Sequence, residues 1–121
     1  MRIADLRLSS RDGILIAHVT GEIDMSNARD LREAITDATP NDALGVVLDL
    51  SAVEYVDSAG IHMLYRLGDS LHARGQTLRV VIPLQSPASD SLRLAGIKRH
   101  VDVVEELDEG VRAVAASAGN R

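Results

Sequence analysis

The residues best placed to do chemistry lie in the segment 56–61, where Ser58 stands between Asp57 and the small residues Ala59 and Gly60. An apolar strand pattern precedes this segment and an apolar helical pattern follows it, so Ser58 falls in the first turn of a predicted helix. Its small neighbours leave the hydroxyl open to an approaching molecule. We therefore expect any chemical event in the chain to centre on Ser58.

The simplest interpretation of Ser58 and Asp57 is helix capping, which is worth about 1 kcal/mol. Two capping residues in succession exceed what one helix start needs, and Gly60 weakens that start by roughly 0.8–1 kcal/mol relative to Ala. A phosphate on Ser58 would add a charge of about −1.5 to −2 at a position where helix N–H groups tolerate an anion. Such a charge would disturb docking on a partner, so the segment has the physical properties of a switch.

A serine-hydrolase interpretation fits the strand–turn–Ser–helix order but not the residues, since 57–60 lacks the G-x-S-x-G pattern. None of the four histidines has a spacing that marks it as a general base, and none is followed by a second His at i+3 or i+4 as in many zinc sites. They are His18, His62, His72 and His100. We expect no catalytic residue, no metal and no cofactor.

Composition narrows the function classes further. The 121 residues are 45% hydrophobic but only 2% aromatic, which predicts one domain with a core of Val, Ile, Leu and Ala. The net charge of −5 has the wrong sign for a nucleic-acid binder. The chain has no Cys, no apolar run long enough to span a membrane and no signal-peptide pattern, so we expect a cytoplasmic protein.

Hydrophobic periodicity predicts the order β-β-α-β-α-β-α-β-α, an α/β domain with a mixed sheet of about five strands and about four helices. The first two strands are predicted to form an N-terminal hairpin, with a kink at Gly21 after the second. The strands are predicted at 3–8, 14–19, 46–50, 78–82 and 101–104. We expect a single domain over 1–121, with its core at about 3–116 and a flexible C-terminal tail.

Helix-capping and helix-breaking residues predict where the four helices begin and end. The second helix starts at Ser58 and ends near Gly75, and the third has Pro87 at its first position and ends at Gly96. Ser26 or Asn27 caps the first helix, and Asp108 caps the fourth, with Val111, Val114 and Ala115 facing inward.

A second polar cluster, Glu22 and Asp24, follows the second predicted strand. A polar loop is its simplest interpretation. Because the carboxyl ends of parallel strands share one edge of a sheet, we expect Asp24 and Ser58 to lie at the same edge. An acidic patch around an exposed hydroxyl would result, and it would suit Arg or Lys on another protein.

Four segments, in this order and spacing, resemble a STAS domain, and most of all the stand-alone anti-sigma factor antagonists of bacteria. They are Gly-Glu-Ile-Asp at 21–24, Val-Val-Leu-Asp-Leu at 46–50, Asp-Ser-Ala-Gly-Ile at 57–61 and Leu-Ala-Gly-Ile at 94–97. The resemblance extends from about Ile14 to Ala115. It implies a mixed five-stranded sheet backed by helices and no catalytic activity.

The resemblance also implies a phosphorylation switch at Ser58. In such antagonists an ATP-dependent anti-sigma factor kinase phosphorylates this position and a metal-dependent phosphatase reverses the reaction. The unphosphorylated form binds the anti-sigma factor and frees the sigma factor. The partner surface implied for this chain comprises Glu22, Asp24, Asp57, Ser58, Ala59, Gly60 and His62.

Two departures from the family pattern concern the same segment. Ala59 replaces the second Ser or Thr of many members, which leaves Ser58 as the only acceptor, and His62 with Met63 makes the rim bulkier. STAS domains also serve as adaptor subunits of transporter ATPases and of stressosome-like assemblies, and this role is the alternative. The sequence is compatible with a homodimer in either role.

Overall fold

The computed structural model describes residues 5–119, in which strands and helices follow the predicted order. Five strands and four α-helices are joined by short connections, and a single 3₁₀ turn at Ile97–Arg99 precedes the last strand. The strands are β1 (Asp5–Arg11), β2 (Ile14–Ile23), β3 (Gly45–Val56), β4 (Thr77–Val81) and β5 (Asp102–Val104). The helices are α1 (Ala28–Ala38), α2 (Ser58–Ala73), α3 (Ser89–Leu94) and α4 (Leu107–Gly119).

The strands form one mixed sheet in the order β1-β2-β3-β4-β5. β1 pairs antiparallel with β2 through a turn at Asp12 and Gly13, and the other neighbours pair in parallel. The predicted mixed α/β fold with an N-terminal hairpin is confirmed. The parallel arrangement brings the carboxyl ends of β2 to β5 to one edge of the sheet, where the β2–α1 and β3–α2 junctions meet.

The sheet is covered on both faces. The larger buried cluster includes residues of α1 and α2, such as Leu31, Ile35 and Leu67, packed with Val19 and Leu48 of the sheet. A smaller cluster joins Val111 and Val114 of α4 to Ile14, Ile16 and Val47 on the other face. Aliphatic side chains make up both clusters, as the near absence of aromatic residues predicts.

Two strands run beyond their predicted ends. β2 reaches Ile23 and β3 reaches Val56, because their parallel pairing continues through register shifts at Thr20 and Glu22. Gly21, predicted as a kink after the strand, lies inside β2 with φ of 94° at one of these shifts. The longer strands carry the polar residues that follow each apolar run to the carboxyl edge.

Several predicted helix ends were wrong. Pro87 precedes α3, which begins only at Ser89, and Asp108 lies in the first turn of α4 rather than capping it. Ala115 is exposed, while Val111 and Val114 are buried as expected. α4 extends through Gly119, and the last two residues of the tail, like the predicted strand start at residue 3, lie outside the described residues.

Candidate functional site

Ser58 is the first residue of α2 and lies at the carboxyl edge of the sheet, directly after β3. Its side chain is exposed, and within residues 5–119 its hydroxyl has no hydrogen-bond partner. The prediction that Ser58 lies in the first turn of a helix is confirmed. The hydroxyl is therefore accessible and has no role in holding the described fold together.

Asp57, not Ser58, caps α2. Its Oδ1 accepts a hydrogen bond from the backbone N–H of Gly60 at 3.0 Å, which is the usual geometry of an N-cap residue. Its Oδ2 accepts a second bond from the backbone N–H of Met25 at 3.2 Å, across 32 residues of sequence. One carboxylate thus fixes the start of α2 and ties the β2–α1 loop to it, and Ser58 is freed from a capping role.

Gly60 lies in the first turn of α2 and is buried. A Cβ at this position would lie 2.5 Å from Cγ1 of Val56 and 3.0 Å from Cγ2 of Ile23. Such distances require the neighbours to move. The small size of Gly60 was interpreted as room for an approaching molecule, but the structure gives a different reason, which is the close packing of α2 on the ends of β2 and β3.

The β2–α1 loop is held by side chains of its own. Asn27 is buried, and its Nδ2 donates to the carbonyl oxygen of Glu22 at 2.8 Å while its Oδ1 accepts from the backbone N–H of Asp24 at 3.0 Å. Asn27 precedes α1 but makes no side-chain capping bond. Its ring of hydrogen bonds fixes the loop that carries Asp24 beside the start of α2.

Asp24 and Glu22, both predicted in the partner surface, occupy different places. Asp24 accepts hydrogen bonds from the side chain and the backbone of Ser26, which lower the pKa of its carboxyl. Glu22 precedes the buried Ile23 in β2, and since side chains alternate along a strand, it lies on the opposite face of the sheet from α2. Asp24, Asp57 and Ser58 therefore lie together at the carboxyl edge, while the side chain of Glu22 lies on the other face of the sheet.

Ala59 and His62 lie on the side of α2 that faces α1. Ala59 is partly buried against the core, whereas His62 is exposed, and both line a groove between the two helices. His62 lies one helical turn after Ser58, so the two share a face. The ring of His62 has a tilted contact with Tyr65, at 6.4 Å between centroids.

The described residues contain no nucleophile–base pair at Ser58. His18 bonds to Asp49 in the sheet, and the ring of His100 contacts Tyr65 at 4.3 Å between centroids, so neither faces the hydroxyl. No group of three or more metal-ligating side chains occurs in residues 5–119. Across the same residues, every helix is too short or too polar to cross a bilayer.

A titratable pair that the sequence does not reveal joins β2 to β3. His18 Nδ1 donates to Asp49 Oδ2 at 2.9 Å, and the backbone N–H of Ser51 donates to Asp49 Oδ1 at 3.0 Å. Burial raises the pKa of the Asp49 carboxyl, but the hydrogen bonds from Ser51 and His18 outweigh it, and the net effect is a lowered pKa. The ionised form of Asp49 thus stabilises the folded chain.

Asp49→Asn is expected to lower the free energy of unfolding by about 1–2 kcal/mol near neutral pH, because the charged acceptor of these bonds is lost. Since the folded pKa lies below the unfolded value of about 3.9, the stabilisation is present above that value and disappears as pH falls through the folded pKa. Urea unfolding from about pH 7 to pH 3 should show the two proteins converging in acid. The exposed Asp42→Asn serves as the control and should follow the wild type. A difference between the Asp49→Asn and wild-type curves that stays constant over this range would contradict the assignment.

Some residues of the site could not be found in the sequence. The sequence predicts Asn27 only as a helix cap, and no local pattern marks the arginines that line the groove beside Ala59 and His62. Their signal would have been the facing positions of two helices, which depends on how α1 and α2 pack.

Proteins of known sequence and structure resemble this chain over most of its length. The family model described as "STAS domain" matches residues 5–110. The chain is 26% identical over 108 residues to the anti-sigma-F factor antagonist RsfB of Mycobacterium tuberculosis, covering 88% of this chain and 86% of that protein. A crystal structure of an anti-sigma factor antagonist from Mycobacterium paratuberculosis superposes with a TM-score of 0.79 at 29% identity, covering 93% of this chain and 94% of the other.

A more distant structure shares the fold alone. The anti-sigma factor antagonist SpoIIAA, solved in its unphosphorylated form, superposes with a TM-score of 0.69 at 15% identity, covering 93% of this chain and 98% of that one.

Proposed function

The chain belongs to the STAS domain family, and from this premise we propose that it is an anti-sigma factor antagonist switched by phosphorylation of Ser58. Unphosphorylated, it binds an anti-sigma factor that is also a serine kinase, and the sigma factor is released. Phosphorylated, it loses that partner. A metal-dependent phosphatase restores the active form, and the cycle runs in the cytoplasm.

The observation that supports this proposal most strongly is the state of Ser58 itself. The hydroxyl is exposed and free of hydrogen bonds within the described residues, at a helix start that Asp57 caps and Gly60 packs in place. A kinase can reach such a hydroxyl without unfolding the site. The name of a relative points the same way, since RsfB is an anti-sigma-F factor antagonist.

The chemical step is a phosphoryl transfer. The Ser58 oxygen attacks the γ-phosphorus of ATP, a new O–P bond forms, and the bond between the γ-phosphorus and the β,γ-bridging oxygen breaks as ADP leaves. The hydroxyl proton passes to a base of the kinase. Within the antagonist the product is a dianion at the start of α2, where free N–H groups tolerate it.

The partner surface follows from the placement of the predicted residues. Asp24, Ser58 and His62 would offer side chains to a docking protein, and Ala59 lies beside His62 in the groove wall. Asp57 and Gly60 act from within, by holding the loop and the helix start. Glu22, on the other face of the sheet, supports the surface through its carbonyl oxygen bonded to Asn27.

The test of this function is phosphorylation by the cognate anti-sigma kinase, followed by mapping of the phosphate by mass spectrometry. The alternative role, an adaptor subunit of a transporter ATPase or of a stressosome-like assembly, requires no kinase reaction at Ser58. Capture of partners with and without ATP separates the two, since the antagonist should release its kinase after turnover.

A further inference from the structure

A groove of about 470 Å³ runs between the N-terminal halves of α1 and α2, next to Ser58. Arg29 and Arg32 of α1 and Arg66 of α2 line it together with His62, which lies one helical turn after Ser58. Among residues 5–119, no acidic side chain lines this groove. A chain of net charge −5 therefore places three arginines together beside the residue proposed as its switch.

The arginines are largely available to a ligand. Arg29 has one ion pair, with Glu33 at 3.6 Å, and its side chain is 83% exposed, so that pair is worth little. Neither Arg32 nor Arg66 makes an ion pair within residues 5–119. Planar guanidinium groups bind carboxylates through paired hydrogen bonds, so this arrangement favours an anionic occupant with several carboxylates.

The groove also offers apolar surface. Met25, at its mouth, is 82% exposed, and Met63 forms part of its buried wall. Methionine side chains are flexible and adapt to different partners. An occupant that alternates carboxylates with apolar side chains would match both kinds of surface.

We propose that this arginine groove binds an acidic, partly apolar segment of the anti-sigma factor, a refinement that rests on the proposed function. It also supplies a physical reason for the switch. Ser58 lies one residue from Ala59 and one helical turn from His62, both in the groove wall. A phosphate there repels the acidic segment and competes with it for the arginines. A nucleic acid is disfavoured because the rest of the chain is acidic and would repel a phosphate backbone.

The first experiment tests the groove without any anti-sigma factor. A synthetic 15-residue helical peptide, with Glu along one face and Leu along the other, is titrated into the ¹⁵N-labelled protein. A peptide with Lys at the Glu positions is the control. The Glu peptide should shift the amide signals of α1 and α2 around the groove, and the shifts should shrink as salt is raised. Equal shifts with the Lys peptide, shifts located elsewhere, or tighter binding of a single-stranded oligonucleotide would overturn the proposal.

The second experiment uses the full anti-sigma kinase. Arg32→Glu/Arg66→Glu should weaken its binding at least tenfold, since two attractive contacts become repulsive. Lys98→Glu/Arg112→Glu makes the same change of net charge at exposed positions outside the groove and should bind within about twofold of the wild type. If both double variants bind the anti-sigma kinase equally well, the groove is not its binding site, and the proposed antagonist function is unaffected. If the wild-type protein does not bind the kinase, the proposed function is contradicted. The peptide titration then still tests whether the groove binds an acidic segment.

Discussion

Ser58→Glu is expected to weaken binding of the anti-sigma factor by about 10- to 100-fold, while Ser58→Ala should bind within about twofold of the wild type. The exposed hydroxyl makes no internal hydrogen bond in the described chain, so its removal costs the fold little. A carboxylate at this position would lie in the interface, next to the proposed acidic segment of the partner. Like charges brought together at an interface cost up to several kcal/mol of binding free energy, and each tenfold change in Kd corresponds to about 1.4 kcal/mol. Calorimetric titration of each variant with the anti-sigma factor measures the effect.

A matched control separates local charge from net charge. Ser10→Glu adds the same charge at an exposed position of β1, whose end lies at the opposite edge of the sheet. This variant should bind like the wild type. If Ser58→Glu, Ser58→Ala and Ser10→Glu all bind equally well, the electrostatic switch at Ser58 is ruled out.

Gly60→Ala is expected to lower the free energy of unfolding by about 1–3 kcal/mol, although alanine favours helices. The new methyl group would lie 2.5 Å from Cγ1 of Val56 and 3.1 Å from the carbonyl oxygen of Ile23. These neighbours belong to strand ends, which cannot move without disturbing the bond from Asp57 N–H to the same Ile23 oxygen. Urea unfolding monitored by circular dichroism measures the loss.

Gly68→Ala in the same helix is the natural comparison. Its Cβ would lie 3.7 Å from side-chain atoms of Leu78 and Val101, an ordinary van der Waals contact. We expect this variant to be as stable as the wild type or about 0.5–1 kcal/mol more stable, from helix propensity alone. A Gly60→Ala protein that matches Gly68→Ala in stability would show that α2 does not pack tightly at its start.

The sequence predicts the fold well because the apolar strand runs and the helical faces are local patterns. The parallel order of the strands then brings Asp24 and Ser58 to one edge by topology alone. The ends of β2 and β3 escape prediction, because their pairing continues beyond the apolar residues through polar ones.

The inner workings of the site depend on contacts between distant segments. The second oxygen of Asp57 bonds to Met25, 32 residues away, and Gly60 is required by side chains of two different strands. The arginines at 29, 32 and 66 become a groove only once α1 and α2 pack side by side. Ser58, the proposed phosphorylation site, can be identified from the sequence, whereas the arginines proposed to sense its charge cannot.

Phosphorylation of Ser58 can be tested by treating the wild-type protein and Ser58→Ala side by side with the cognate anti-sigma kinase and ATP, then mapping the phosphate by mass spectrometry. We expect a single phosphate, located on Ser58 in the wild type and absent from Ser58→Ala. Phosphate incorporated equally into Ser58→Ala, or mapped to any other residue of the wild type, would contradict it.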